Sequence, residues 1–180
     1  MIYTHGYGIV MSPVNKVTPQ GLPDYLIKDI PPVSTVDEDN LRIDKPQIYY
    51  GESDNEYVLV NTKTEEFDYP QGNTNQYTNY NGTGGVTLDS GWKKFLMALR
   101  FSDIKILLSS DVTSESKIMF TRNIVNRLNK ITPFLQFDQD PYIVIEEGRL
   151  KWIIDGYTTT GNYPYSEKAG SINYIRNSIK

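Results

Sequence analysis

Residues 142–157, which read YIVIEEGRLKWIIDGY, carry the clearest local structural signal in the sequence. Glu147 and Gly148 suit a two-residue turn that joins predicted strands at 142–146 and 149–155. Because side chains alternate between the two faces of a strand, this register places apolar pairs on one face and an ion pair on the other. The cross-strand pairs are Ile145 with Leu150, Ile143 with Trp152, and Glu146 with Arg149. The stretch therefore predicts a half-buried antiparallel hairpin.

Two or three central helices are predicted upstream of this hairpin. Asp89 or Ser90 can cap the first helix, in which apolar residues recur at helical spacing. A short second helix is predicted at 103–108, and a third from about 116 to 131, where Pro133 stops it. The residues predicted to face inward are Trp92, Phe95, Leu96 and Leu99 in the first helix and Ile104, Leu107 and Leu108 in the second.

Extended segments are predicted before these helices. Residues 47–50 and 57–61 alternate in polarity, and we expect them to form a hairpin through a turn at 51–55. A short strand at 66–69 is expected to end at Pro70.

The remaining segments are predicted to be irregular. Prolines recur through residues 1–46 and forbid a long helix there, and the acidic segment 37–40 is expected to be a surface turn. The turn-forming residues of 71–85 predict a long surface loop. After Gly161 we expect a polar turn and a short helix near 172–178.

The composition supports a single mixed domain over residues 1–180. Hydrophobic residues make up 38% of the chain and charged residues 22%, which is typical of a folded rather than a disordered protein. The 14 tyrosines favour extended chain over long helices. We predict an α+β fold in which two or three central helices cover an antiparallel sheet and the N-terminal third is rich in loops.

Charge and residue content argue against several classes of function. A net charge of -4 opposes nucleic-acid binding, which depends on clustered basic residues. The absence of cysteine excludes disulfides, thiolate nucleophiles and cysteine-ligated zinc. The longest apolar runs fall short of the roughly 18 residues that a membrane-spanning helix needs, and residues 1–6 show no secretory signal.

His5 is the only histidine, so an imidazole base or metal ligand would have to be this residue. No orienting carboxylate lies close to it in sequence. A structural hydrogen-bonding role is therefore favoured, with ligand binding or catalysis as the alternative.

Carboxylates gather around the predicted hairpin. Asp138 and Asp140 precede it and Asp155 is the last residue of its second predicted strand. Oxygen ligands in loops suit Ca²⁺, so these three residues form a candidate calcium site, and turn capping is the alternative. The same carboxylates offer a second alternative, a hydrolase or transferase that acts on carbohydrate. No other cofactor is predicted.

Tyrosines near the C-terminus form a candidate ligand-binding surface. Tyr157, Tyr163 and Tyr165 present apolar rings with polar tips, which suit stacking on a sugar or contact with a protein partner. Packing between strands is the alternative.

Eight sequence blocks occur in a fixed order between residue 3 and about residue 178. They are YTHGYG at 3–8, QIYYGE at 47–52, EFDYP at 66–70, ITPFL at 131–135, FD at 137–138, DPY at 140–142, WIIDGYTTT at 152–160 and YPYS at 163–166. In these blocks the sequence resembles an uncharacterised protein family (UPF) of bacterial multi-pass membrane proteins that have a large extracytoplasmic domain.

The resemblance implies a parent protein in the bacterial cell membrane, with several membrane helices upstream of Tyr3 and this domain outside the cytoplasm. It implies no reaction. Two departures stand out: the family usually has Ala where Gly156 stands, and it usually continues past Lys180 into a further strand. We therefore expect a fragment of a larger domain with a binding or scaffolding role at the cell envelope, whose partner is a glycan or a protein. A cell-envelope hydrolase is the alternative.

Overall fold

The computed structural model describes residues 3–36, 41–54 and 56–179. Strand accounts for 35% of the structure and helix for 14%, so the predicted α+β class is confirmed. The predicted acidic turn at 37–40 lies outside the described residues, as does Asn55 of the predicted turn at 51–55.

The described strands pair antiparallel, but the pairing is divided among six small sheets. The two-stranded sheets are β1 (Gly6–Tyr7) with β4 (Gln47–Ile48), β2 (Ile27–Lys28) with β3 (Val33–Ser34), β6 (Glu66–Gln71) with β7 (Thr74–Thr78), and β11 (Tyr142–Glu146) with β12 (Arg149–Ile153). The three-stranded sheets, in spatial order, are β5 (Tyr57–Val60), β9 (Lys117–Phe120) and β8 (Val86–Thr87), and then β10 (Gln136–Phe137), β13 (Gly156–Thr160) and β14 (Tyr174–Ile179). The short strands β1, β2 and β3 confirm the loop-rich N-terminal third.

The described residues form three helices. Helices α1 (Gly91–Phe101) and α2 (Lys105–Leu108) follow strand β8, and α3 (Ile124–Ile131) follows strand β9. Of the two predicted caps of α1, Ser90 is the one observed, because its side chain accepts a hydrogen bond from the backbone N–H of Lys93. No helix in the described ranges combines the length and the hydrophobicity that crossing a bilayer requires.

The main core lies between the sheet β5-β9-β8 and the helices α1 and α2. Its buried members are Leu88, Ala98, Ile106, Val112 and Ile118, and partly buried aromatic and aliphatic side chains pack around them. Ile118 and its neighbour Met119 are both fully buried, so both faces of the central strand β9 are covered.

The predicted inward faces of the first two helices are wrong. In α1 the side that meets the core carries Ala98, with Met97 and Phe101 packed beside it. In α2 the buried residue is Ile106. The small Ala98 side chain suits close packing of α1, whereas the bulkier stripe lies on the other side of the helix. The exposed residues are Trp92, Phe95, Leu96, Leu99, Ile104, Leu107 and Leu108.

The third helix is shorter than predicted, because residues 117–120 form strand β9 and not its first turns. Lys117–Phe120 pairs with β5 on one side and β8 on the other, which satisfies its backbone in extended form. Thr121 then adopts a positive φ of 50°, and the Asn123 side chain caps the helix by accepting from the Asn126 N–H.

The hairpin β11–β12 has the predicted register at every pair. Glu147 and Gly148 both have positive φ, 51° and 72°, as a type I′ turn requires. The predicted ion pair is corrected in one respect: Glu146 bonds to Lys151, its diagonal neighbour, although it lies opposite Arg149.

The predicted hairpin of 47–50 with 57–61 is wrong. β4 pairs with β1 at the N-terminus, and β5 pairs with β9. The buried apolar strand β9 gives β5 a better partner than the two-residue strand β4, and that partner is distant in sequence.

Two further predictions of irregular or helical structure are corrected. Residues 74–78 of the predicted surface loop form β7, and β6 continues through Pro70 because it has only one partner strand and keeps an open edge. The predicted helix near 172–178 is strand β14, which pairs with the threonine-rich strand β13.

Candidate functional site

His5 lies at the centre of a buried group of polar side chains. Its side chain is fully buried, as is nearly all of Glu66, and only a tenth of Asp68 is exposed. The ring nitrogen Nε2 is 3.1 Å from Asp68 Oδ1, and Nδ1 is 3.6 Å from Glu66 Oε2. The segment before β1 thereby meets strand β6, more than 60 residues further along the chain.

Glu66 is the most heavily bonded member of this group. Its Oε2 atom accepts hydrogen bonds from the hydroxyls of Thr4 and Tyr49, the second at 3.0 Å. Its Oε1 atom accepts from the backbone N–H groups of Asn61 and Tyr80, each at 3.1 Å. One carboxylate therefore joins four segments of the chain.

Both ring nitrogens of His5 have partners inside the protein. Nε2 lies 3.1 Å from Asp68 Oδ1, and Nδ1 lies 2.8 Å from the Thr4 hydroxyl, which itself donates to Glu66. The imidazole is therefore held by hydrogen bonds on both sides, which is the geometry of a structural histidine.

The environment changes the pKa of several members of the group. Burial alone would raise the pKa of Glu66, but hydrogen bonds from His5, Thr4, the Asn61 N–H and Tyr49 together lower it below its ordinary value. Burial and the negative charge of Glu66 raise the pKa of Tyr49 far above its usual range. Glu66 is therefore ionised and Tyr49 neutral near pH 7.

Arg122 closes the group from the turn between β9 and α3. It is 8% exposed, and burial lowers the pKa of its guanidinium, which nevertheless stays charged. Nε donates to the Tyr49 carbonyl at 2.7 Å, and Nη2 donates to the Thr4 carbonyl at 2.6 Å. We call His5, Thr4, Glu66, Asp68, Tyr49 and Arg122 the buried polar cluster.

A cavity of about 420 Å³ lies beside the buried polar cluster. Thr4, His5 and Arg122 line one part of it, and Trp152 and Ile143 of the hairpin β11–β12 line another. Trp152 is fixed by a 2.8 Å hydrogen bond from Nε1 to the Tyr50 carbonyl. The side chains of the buried polar cluster are bonded to one another. Their geometry therefore suits holding segments of the chain together better than catalysing a reaction in the cavity.

Sequence reasoning identified only His5 from this cluster. Its carboxylate partners lie on β6, whereas the prediction considered only carboxylates near His5 in sequence and named no partner. The signal available was Glu66-Phe67-Asp68, in which two acidic residues share one face of a strand, as period-two alternation requires.

Asp138 and Asp155, two of the three predicted calcium ligands, are joined through their backbones. The Asp138 side chain accepts from the Gln139 backbone N–H at 2.7 Å, which is turn capping, and the Asp138 N–H donates to the Asp155 carbonyl at 2.9 Å. Asp140 is exposed. Among the described residues no group of three or more His, Cys, Asp or Glu is arranged to hold a metal ion, so the calcium site gains no support and stays a prediction.

The predicted tyrosine surface is organised around Asn173. Tyr163 stacks on Tyr174 with ring centroids 4.2 Å apart, and Tyr165 is fully exposed. The Asn173 side chain accepts from the Tyr163 N–H and donates to the Tyr163 carbonyl, which holds the loop against β14. Tyr157 lies on β13 and is half-buried, opposite Ser178.

A second surface feature is the outer face of α1 and α2. We call Trp92, Phe95, Leu96, Leu99, Ile104 and Leu108 the apolar helical surface. Trp92 and Leu99 are each 67% exposed and Leu108 is 72% exposed. Trp92 and Phe95 stack on each other, with ring centroids 5.6 Å apart.

Taken together, the fold and these two sites define a mixed α+β protein part with an internally bonded polar cluster and a large exposed apolar face. The chain belongs to the uncharacterised protein family UPF0182, whose family model matches residues 1–180.

Relatives in this family are much longer than this chain. A UPF0182 protein of Desulforamulus reducens is 53% identical over 181 residues, which cover 99% of this chain and 19% of the relative. One from Clostridium perfringens is 53% identical over 178 residues, with the same two shares. One from Clostridium tetani is 52% identical over 180 residues, which cover this whole chain and 20% of the relative.

The chain thus spans about a fifth of the length of the curated relatives it matches. It corresponds to part of a larger protein, as predicted. No solved structure matches it.

Proposed function

We propose that this chain is a non-catalytic binding or scaffolding part of a larger bacterial membrane protein, and that it lies outside the cytoplasm at the cell envelope. Two findings support a role as one part of a larger assembly. The chain spans about a fifth of its relatives, and far more of its large apolar side chains are exposed than buried among the described residues.

The main support for a non-catalytic role is that the side chains of the buried polar cluster are hydrogen-bonded within the protein. Catalytic groups need a free lone pair or proton within reach of a substrate. In this cluster, both nitrogens of His5 and both oxygens of Glu66 are engaged inside the protein. The cluster therefore acts as a clamp that fixes the N-terminal segment to β6 and to the turn before α3.

The binding role is assigned to the exposed tyrosines near the C-terminus. Stacked rings with exposed polar edges suit sugar rings, which present both C–H faces and hydroxyls. Asn173 holds the backbone at Tyr163, and the Tyr163 ring stacks on Tyr174, so these two rings are held in position before a ligand arrives, with the exposed Tyr165 beside them in sequence. An envelope glycan is the ligand that this surface fits.

Thermal unfolding of the chain with a panel of soluble cell-wall glycans tests this proposal. Saturation at about 100 times the dissociation constant should stabilise the chain by about 2.7 kcal/mol, a shift of a few degrees. Tyr165→Ala should remove the shift. Tyr25→Ala, which removes an exposed tyrosine from the N-terminal third, should keep it. The absence of any shift would contradict glycan binding.

The hydrolase alternative is tested in the same mixtures. The proposal predicts that mass spectrometry detects intact glycans after long incubation. Release of shortened glycans that is lost in Asp138→Asn or His5→Gln, both checked for folding, would overturn the non-catalytic role.

A further inference from the structure

The apolar helical surface faces away from the core, so it is free to meet a partner. Ala98 of α1 and Ile106 of α2 are buried in the same hydrophobic cluster. Residues on the opposite sides of both helices therefore point outward together. A continuous exposed apolar face of this kind marks an interaction site.

The rim of this surface is basic, although the chain as a whole is acidic. Residues 89–108 contain four basic residues and two acidic residues, in a chain of net charge -4. At about 100° per residue along α1, Lys93 and Arg100 border the stripe of Trp92 and Leu99. The Lys93 amine is paired with Asp89 at 2.9 Å, and the Arg100 guanidinium lies 4.9 Å from the Phe120 ring but the residue stays exposed. Lys105 is exposed beside Ile104 on the second helix.

The lysines beside the apolar helical surface favour a lipid surface over a protein partner. Protein interfaces are depleted in lysine. Helices that lie in a membrane interface carry Trp, Phe and Leu on one side and Lys or Arg at the border, where the cations meet anionic headgroups. Tryptophan itself concentrates at the level of the headgroups.

We propose that the apolar helical surface lies on an anionic lipid bilayer, with Trp92, Leu99 and Leu108 inserted at the headgroup boundary and the exposed Arg100 and Lys105 paired with lipid phosphates. The two helices rest in the plane of the interface with their apolar sides toward the lipid. This inference does not depend on the proposed function, because it concerns a surface of this chain alone. Glycan binding and lipid binding can each fail while the other holds.

Vesicle flotation of the 180-residue chain tests the proposal. Binding is expected to phosphatidylcholine vesicles that contain phosphatidylglycerol, to weaken as salt is raised, and to weaken strongly when the anionic lipid is omitted. Lys105→Gln should weaken binding to the anionic vesicles by about fivefold.

A matched pair of variants distinguishes binding through the apolar helical surface from non-specific adsorption to vesicles. Leu99 and Leu22 are 67% and 62% exposed, so a glutamate at either position leaves the core intact. Leu99→Glu should weaken vesicle binding by about tenfold or more, whereas Leu22→Glu should bind like the unaltered chain. Urea unfolding of both variants confirms that they stay folded.

Fluorescence identifies the inserted residue. The chain has two tryptophans, and Trp152 is already packed and hydrogen-bonded. Anionic vesicles should shift the emission to shorter wavelength, and Trp92→Phe should abolish that shift while flotation persists. Failure to float at low salt would overturn the proposal. So would equal binding of Leu99→Glu and the unaltered chain, or self-association through this surface in place of vesicle binding.

Discussion

Glu66 places a negative charge inside the protein and offsets its burial with hydrogen bonds to both oxygens. Glu66→Gln replaces one acceptor oxygen with an NH2 group that can only donate, so at least one neighbouring N–H or hydroxyl loses its partner. We expect a loss of about 2–4 kcal/mol in the free energy of unfolding. The adjacent exposed Glu65 provides the control, and Glu65→Gln should change stability by less than about 0.5 kcal/mol in the same urea titrations. Equal effects would contradict the clamp.

The pH dependence of stability follows from the same residue. Because the pKa of Glu66 is lowered in the folded protein from its ordinary 4.5, the unfolded chain takes up this proton at a higher pH than the folded chain does. The contribution of Glu66 is therefore complete above about pH 4.5 and is lost as the pH falls through the folded-state pKa. Urea titrations across this range should show a decline that is smaller in Glu66→Gln. An equally steep decline in the variant would assign the acid sensitivity to other groups.

The residue scale also shows what the sequence could not reveal about the buried polar cluster. His5 could be identified as a candidate from composition alone, because it is the only histidine. Its partners Glu66 and Asp68 come from a strand more than 60 residues away, and a sequence holds no direct signal for contacts at that separation. Arg122 donates to backbone carbonyls, which every residue has, so the residue types in the sequence do not indicate these contacts.

At the scale of single elements, the capped helix α1 offers a direct test. The Ser90 side chain accepts from the Lys93 N–H, one of the donors that a helix start leaves without a partner. Ser90→Ala should lower the free energy of unfolding by about 1 kcal/mol. Ser114→Ala, in an exposed loop, is the control and should be neutral. A neutral Ser90→Ala would show that α1 is fixed by packing alone.

The turn of the hairpin β11–β12 gives a prediction of opposite sign. Glu147 has φ of 51°, a conformation that asparagine adopts more readily than glutamate. Glu147→Asn should therefore raise the free energy of unfolding by about 0.5 kcal/mol or more. Glu147→Val, which disfavours positive φ, should lower it, and the reverse order in urea titrations would contradict the type I′ assignment.

Elements with a complete local signal were predicted well, and elements set by distant partners were not. The hairpin register follows from one turn dipeptide and alternating side chains, all within 16 residues. In contrast, β9 reads as a helix start until β5 and β8 pair with it. The stripe of α1 satisfies helical periodicity, but periodicity cannot tell an apolar face that meets a core from one that meets another surface.

At the scale of the whole molecule, the structure describes a protein part with a modest core and a broad exposed apolar area. The core between α1, α2 and the sheet β5-β9-β8 stabilises the centre of the chain. The buried polar cluster ties the N-terminal segment to it. The strands from β10 onward form two separate small sheets, and the exposed strand β14 lies at the edge of one of them. Such a molecule suits attachment to a larger protein and to an envelope surface.

The most direct test of the central claim is labelling of a single cysteine in the full-length protein. The chain has no cysteine and Tyr165 is fully exposed, so Tyr165→Cys in a cysteine-free background adds one accessible thiol. Ser116→Cys, at a fully buried position, is the matched control and should stay unlabelled in folded protein. An extracytoplasmic position predicts that a membrane-impermeant maleimide labels Tyr165→Cys in intact protoplasts. Labelling only after lysis would place the chain in the cytoplasm and contradict the account.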